Sequence, residues 1–143
     1  MEDIKHEIVV HGNAVQGGKN INVSPHSDRA SITLQNEERQ LHFSIPTPVI
    51  VDGKRLKAGK VWIRFSTYEK SSDHASVISY IKITDADKHV ATIHERLTGR
   101  PNQASIDFER KDVGWGLNVT VGLEYDKGPA VIDIHGVGID FYA

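Results

Sequence analysis

The 143-residue chain contains no cysteine. Disulfide staples, thiolate catalysis and Cys-ligated zinc are therefore excluded. No apolar run is long enough to span a bilayer as a helix. The N-terminal Met1-Glu2-Asp3-Ile4-Lys5 is charged and lacks the apolar core of a signal peptide. A cytoplasmic location is the expectation, with a secreted mature form as the alternative. Neither sign of charge forms a block: 17 basic and 19 acidic side chains interleave and leave a net charge of -2. That balance provides no electrostatic footprint for nucleic acid or an anionic membrane, and neither is expected as a partner. Nucleophile elbow, P-loop and dinucleotide fingerprint are also missing. No motif names a reaction, and no cofactor is expected.

What is present is alternation. Apolar and polar residues trade places along most of the chain, as in half-buried strands. The candidates are Ile4 to His11, Ile21 to Val23, Ala30 to Leu34, Leu41 to Ile45, Val49 to Val51, Arg55 to Leu56, Lys60 to Tyr68, Ser76 to Ile83, Lys88 to His94, Ala104 to Glu109, Leu117 to Tyr125 and Ala130 to Tyr142. Asp52-Gly53 is a tight-turn signal between two of them. One helical turn is allowed at Ile93 to Thr98, before Gly99-Arg100-Pro101 stops it. Frequent turns and short strands predict a single all-β domain over residues 1–143. The expected architecture is an antiparallel two-sheet sandwich, jelly-roll-like, with a closed barrel as the alternative. Ile45-Pro46-Thr47-Pro48 cannot be a central strand, because proline donates no ladder hydrogen bond; it reads as an edge or a crossing between sheets. Val61, Ile63 and Phe65 should face the core, as should Leu117, Val119, Val121, Leu123 and Tyr125.

Several stretches together resemble a family of small single-domain bacterial proteins of unknown function. They are Val10 to Val15, the block Ile45-Pro46-Thr47-Pro48-Val49-Ile50-Val51-Asp52-Gly53, Gly114-Trp115-Gly116-Leu117 and Gly136 to Phe141. The resemblance implies an autonomous domain from a bacterium and assigns no catalytic residue. The chain departs from the family pattern near Gly17-Gly18-Lys19-Asn20 and Glu37-Glu38-Arg39.

Candidate sites follow from the faces left over. Trp62, Arg64 and Tyr68 alternate on the noncore side of one strand; Asn118, Thr120 and Glu124 do so on another, with Tyr80 and Lys82 available from a third. Aromatic rings beside amides, hydroxyls and charges suit a sugar, whose CH faces stack while its hydroxyls hydrogen-bond. Covering a sheet edge or a dimer contact explains the same residues. By strand geometry Trp62 is partly exposed and serves no folding purpose that a smaller residue could not, so it should contact a ligand or partner.

Asp133 and His135 lie two apart on the last strand and form a candidate base-orienter pair. Their phase with Val131, Val137, Ile139 and Phe141 favours a buried, structural hydrogen bond instead. Apolar residues on both faces point to a central strand or to a bulge at Gly136 or Gly138. If the protein is an enzyme, an isomerase or cyclase type without cofactor, its acid/base groups come from His11, His94, Asp133, His135 and Asp140. No two histidines have local metal spacing, and no metal is expected. Asp85-Ala86-Asp87 with Asp73 nearby has the carboxylates of a calcium loop, though alternate aspartates more often just form turns. Three functions remain: a noncatalytic module binding carbohydrate or another polar ligand, a small enzyme with a pocket inside the fold, and a homo-oligomeric assembly protein.

Overall fold

The computed structural model describes residues 4–17, 21–25, 27–34, 39–47, 50–51, 53–67, 69–71, 74–95, 97, 102–125 and 130–142. The strands are β1 (Ile4–His11), β2 (Gln16–Gly17), β3 (Ile21–Pro25), β4 (Ala30–Leu34), β5 (Arg39–Ile45), β6 (Ile50–Val51), β7 (Lys54–Arg55), β8 (Lys57–Thr67), β9 (Glu69–Ser71), β10 (His74–Asp85), β11 (Lys88–Ile93), β12 (Asn102–Asp112), β13 (Leu117–Tyr125) and β14 (Ala130–Tyr142). A 3-10 turn, Gly12–Ala14, follows β1.

Two antiparallel sheets stack face to face. The first runs β12-β8-β14-β4-β3, with β1 also on β14. The second runs β11-β10-β13-β5-β2, with β9 on β10. The fold is a jelly-roll-like sandwich, and no closed barrel is seen among the described residues. Strand β14 is the axis of the first sheet: its first half pairs with β4, its second half with β1, and its other edge with β8.

The core is the alternation made solid. Val61, Ile63 and Phe65 of β8 and Ile132, Ile134, Val137, Ile139 and Phe141 of β14 point inward, all fully buried. They meet Leu41 and Phe43 of β5, Ile81 and Ile83 of β10, and Leu117, Val119, Val121 and Leu123 of β13. Ile134 and Val137 share a face although they are three positions apart. The register shift between Ile134 and Gly136 against β8 is the bulge that makes this possible. It also removes the phase expected for residue 133 with residues 137 to 141.

The proline block behaves as a crossing. Ile45 ends β5 in the second sheet, and the chain passes through Pro46, Thr47 and the β6–β7 hairpin into β8 of the first. Thr47 Oγ1 donates to the Ile45 carbonyl at 2.7 Å and accepts from the Leu117 N–H at 3.0 Å, which pins the crossing to β13. Pro48 lies outside the described residues. Gly53 takes φ +76°, the left-handed conformation the β6–β7 turn needs. In the stretch where one helical turn was allowed, Ile93 closes β11 and Leu97 exchanges two backbone hydrogen bonds with Ile78; residues 96 and 98 lie outside the described residues.

Candidate functional site

The outer face of the first sheet is arranged in rows across β12, β8, β14 and β1. One row is Gln103, Arg64, Gly136 and His11; the next is Ser105, Trp62, Gly138 and Val9; the third is Asp107, Lys60, Asp140 and Glu7. Trp62 lies directly opposite Gly138, and its indole fills the place that a Cβ at 138 would need. The ring therefore lies flat on bare backbone. The same device recurs on the second sheet, where Tyr80 covers Gly122, and at the far end of β14, where Tyr142 packs over Gly59. Arg110 caps the Tyr142 ring at 3.8 Å from its centroid, a cation–π contact.

These contacts correct one expectation. Trp62 does have a folding role, because it shields strand backbone that glycine leaves open. It is half-buried, and its remaining surface forms a wall of an open cleft of about 570 Å³. Glu7, Val9, Asp28, Arg64, Gln103, His135 and Gly136 complete the lining. The mixture is one aromatic ring, one aliphatic side chain, and amide, guanidinium, imidazole and carboxylate groups.

Two histidines latch the β3–β4 turn at the rim of this cleft. Nε2 of His11 donates to the Ser27 carbonyl and Nδ1 of His135 to the Asp28 carbonyl, each at 3.1 Å. The Asp133–His135 pair expected from their spacing does not form. Asp133, 4% exposed, accepts instead from Ser31 Oγ at 2.5 Å and forms an ion pair with Arg29, whose Nε lies 3.3 Å from its Oδ2. His135 sits at the bulge, which aims its ring at the β3–β4 turn.

Asp140, 5% exposed, sits in the third row of this face, next to Trp62. Burial raises its pKa above the ordinary carboxylate value, and the charges of Glu7 and Asp107 add to this. Lys60 and the Trp62 indole N–H pull the other way without reversing it. The indole N–H is close enough to favour the charged carboxylate, yet neither it nor Oδ1 of Asp140 has a hydrogen-bond partner of good geometry.

The seven residues expected to bind ligand do not share one surface. Trp62 and Arg64 line the cleft on the first sheet. Tyr80, Asn118 and Thr120 lie on the opposite outer face, on β10 and β13 of the second sheet. There they are tied to each other and to β5: Gln40 donates to the Tyr80 hydroxyl, and Thr120 Oγ1 is shared by His42 and Asn118, each at 3.0 Å. Strand alternation shows which side chains leave the core, but not which sheet a strand joins. Tyr68 and the Glu124 side chain lie outside the described residues. Of the acid/base candidates, His11, Asp133 and His135 gather near the β3–β4 turn, whereas Asp140 is farther along β14 and His94 is exposed just past β11 on the second sheet. Sequence reasoning missed Glu7, Val9, Asp28, Gln103 and Gly136 as cleft residues. The alternation of β1 marked the face of Glu7 and Val9, but their neighbours across the sheet were not legible.

The Asp85-Ala86-Asp87 turn serves another purpose than the calcium loop its carboxylates suggest. Asp85 is 4% exposed. Its Oδ2 accepts from Gly114 N–H at 2.7 Å, and its Oδ1 from Trp115 and Gly116 N–H at 2.9 and 3.0 Å. Burial pushes the Asp85 pKa up, but these three donors and the charge of Lys88 outweigh it, and the net shift is downward. Asp73 is outside the described residues. Among the described residues, no three His, Asp or Glu side chains come together as a metal-ligand set.

Comparison with solved structures places the fold. Over 95% of this chain and 96% of its own length, a low affinity xylan binding module, CBM86, from the gut symbiont Roseburia intestinalis superposes with a TM-score of 0.60 at 11% identity. A structure named PfGH50B superposes at 0.61 with 12% identity, and a Podospora anserina GH26-CBM35 beta-(1,4)-mannanase at 0.53 with 10%. The matches cover 98% and 96% of this chain, which spans only 24% and 28% of those two longer proteins. At such identities the likeness is one of fold. No curated protein matches the sequence. A family model described as a family of unknown function, DUF6623, matches residues 18–143, and the chain belongs to that family.

Proposed function

We propose that this protein is a noncatalytic carbohydrate-binding module whose ligand lies in the cleft on the outer face of the first sheet. The observation that carries this reading is Trp62 held flat on Gly138 within a ring of polar side chains. A fixed ring offers a stacking surface without the entropy loss of ordering it at binding. Arg64, Gln103, Glu7 and Asp28 supply donors and acceptors for hydroxyls around it. The sandwich fold shared with a xylan binding module supports the reading. The engagement of His11 and His135 with backbone carbonyls favours binding over acid/base catalysis.

A polysaccharide panel read by affinity electrophoresis tests this. Trp62→Ala should weaken binding by roughly 2 kcal/mol, about thirtyfold. It should also lower stability by roughly 2 kcal/mol, since a half-buried indole removes on the order of 100 Å² from water. Arg64→Ala, at an exposed position, should weaken binding with the melting temperature unchanged. Wild-type affinity in both variants would remove the cleft from consideration.

A further inference from the structure

Trp115 is 78% exposed, the most exposed large apolar side chain among the described residues. Exposed tryptophans on loops are ordinarily free to fold back onto the surface. The backbone that carries this one is fixed. The backbone N–H of Trp115 and those of the glycines on either side all end on the carboxylate of buried Asp85. The carbonyl of Gly116 in turn accepts from Ala86 N–H at 3.0 Å, and Ala86 takes φ +53° to make the turn. Arg55 Nη1 donates to the Val113 carbonyl at 2.9 Å, and Val113 itself is buried. A buried carboxylate, a left-handed alanine and a buried valine thus fix the loop whose one large side chain faces solvent.

The surroundings select the class of partner. The core of a protein interface is depleted of charged residues, and a membrane surface needs an apolar face. Here the segments hydrogen-bonded to the loop or flanking it contribute Arg55, Asp87, Lys88, Lys111 and Asp112, all exposed. One flat ring among charged and polar groups matches the CH face and hydroxyls of a saccharide.

Its position adds the decisive point. Lys57 pairs with Asp112 five residues along β8 from Trp62, and Trp115 lies three residues further on. At ~3.3 Å per residue Asp112, where the loop begins, stands about 15 Å along the sheet from Trp62. We propose that Trp115 is a second saccharide contact and that the ligand is an extended polysaccharide that reaches both tryptophans. The proposal rests on the carbohydrate reading of the Trp62 cleft. Two weak contacts on one polymer multiply through effective concentration, whereas a short sugar can occupy only one.

The test titrates wild type, Trp115→Ala and Trp62→Ala with soluble xylan, galactomannan and mixed-linkage β-glucan, and with the trisaccharides of each. A Trp62→Phe variant leaves Trp115 as the sole indole reporter. The expected result is that Trp115→Ala loses at least tenfold in affinity for one polymer, keeps its trisaccharide affinity and melts like wild type. The emission of Trp115 in Trp62→Phe should change on adding that polymer. If Trp115→Ala binds the polymer like wild type, the second contact is overturned while the cleft stands. If Trp62→Ala binds polymer and trisaccharide normally and Trp115→Ala binds neither, the cleft reading and the two-point ligand both fall. If wild type binds none of the polymers, both readings fall together. A change in sedimentation coefficient with Trp115→Ala would make the loop a contact between copies and overturn the proposal.

Discussion

Asp85 and Asp140 are buried to the same degree, 4% and 5% exposed, yet their pKa values move in opposite directions. The difference is the company each keeps. Asp85 accepts three aligned backbone N–H groups, so its charge is better solvated than burial alone would allow. Asp140 has an unpartnered oxygen and two carboxylates nearby, so its charge is poorly compensated. The linkage signs follow. A depressed pKa stabilises the fold above the ordinary carboxylate value of 3.8 and loses that contribution as pH falls through the lower folded value. A raised pKa stabilises below 3.8 and loses its contribution as pH rises through the higher folded value. Asp140→Asn should therefore be more stable than wild type at pH 7, with the advantage fading toward pH 3. Asp85→Asn should be less stable at pH 7 and converge on wild type as acid protonates Asp85. Chemical denaturation from pH 3 to 7 reads both curves, and parallel curves for either variant would mean that its carboxylate has been wrongly placed.

At the scale of elements, the bulge in β14 governs the cleft. It turns His135 to the rim, restores Val137 to the core, and leaves the Ile134 carbonyl against Gly12, where there is no room for a Cβ. Gly12→Ala should cost about 3 kcal/mol or more, because the clash is with backbone that cannot rotate away. Thermal melting checks this, and a shift of only a degree or two would show that the 3-10 turn can slide.

How much of this was legible varied by element. Leu117 to Leu123 and Val61 to Phe65 declared their core faces, since period-2 alternation is a local property. The Ile45-Pro46-Thr47-Pro48 block announced an edge or a crossing, because proline's missing donor is local too. A bulge at Gly136 or Gly138 was suggested by apolar residues on both faces, but which glycine could not be decided. The flat seating of Trp62 on Gly138 was not legible, because it depends on a register joining residues 76 apart in sequence. The clamp on Trp115 was hidden for the same reason: Asp85 reads as a turn former until its three donors are brought to it.

At the scale of the whole molecule, the place of β14 in the first sheet sets the order of events during synthesis. The strand that β1, β4 and β8 all pair with is the last of this domain to leave the ribosome. Until it arrives, three completed strands carry unpaired edges, and the inward face of β8 has no central neighbour. The domain must therefore fold after its last strand emerges, by slow long-range closure. A chain ending at residue 125 should show no cooperative melting transition and should be captured by holdase chaperones. Supplying residues 130–142 as a separate peptide should restore the transition, since strand addition returns the missing axis. A sharp melt from the truncated chain alone would place the organising contacts in the second sheet instead.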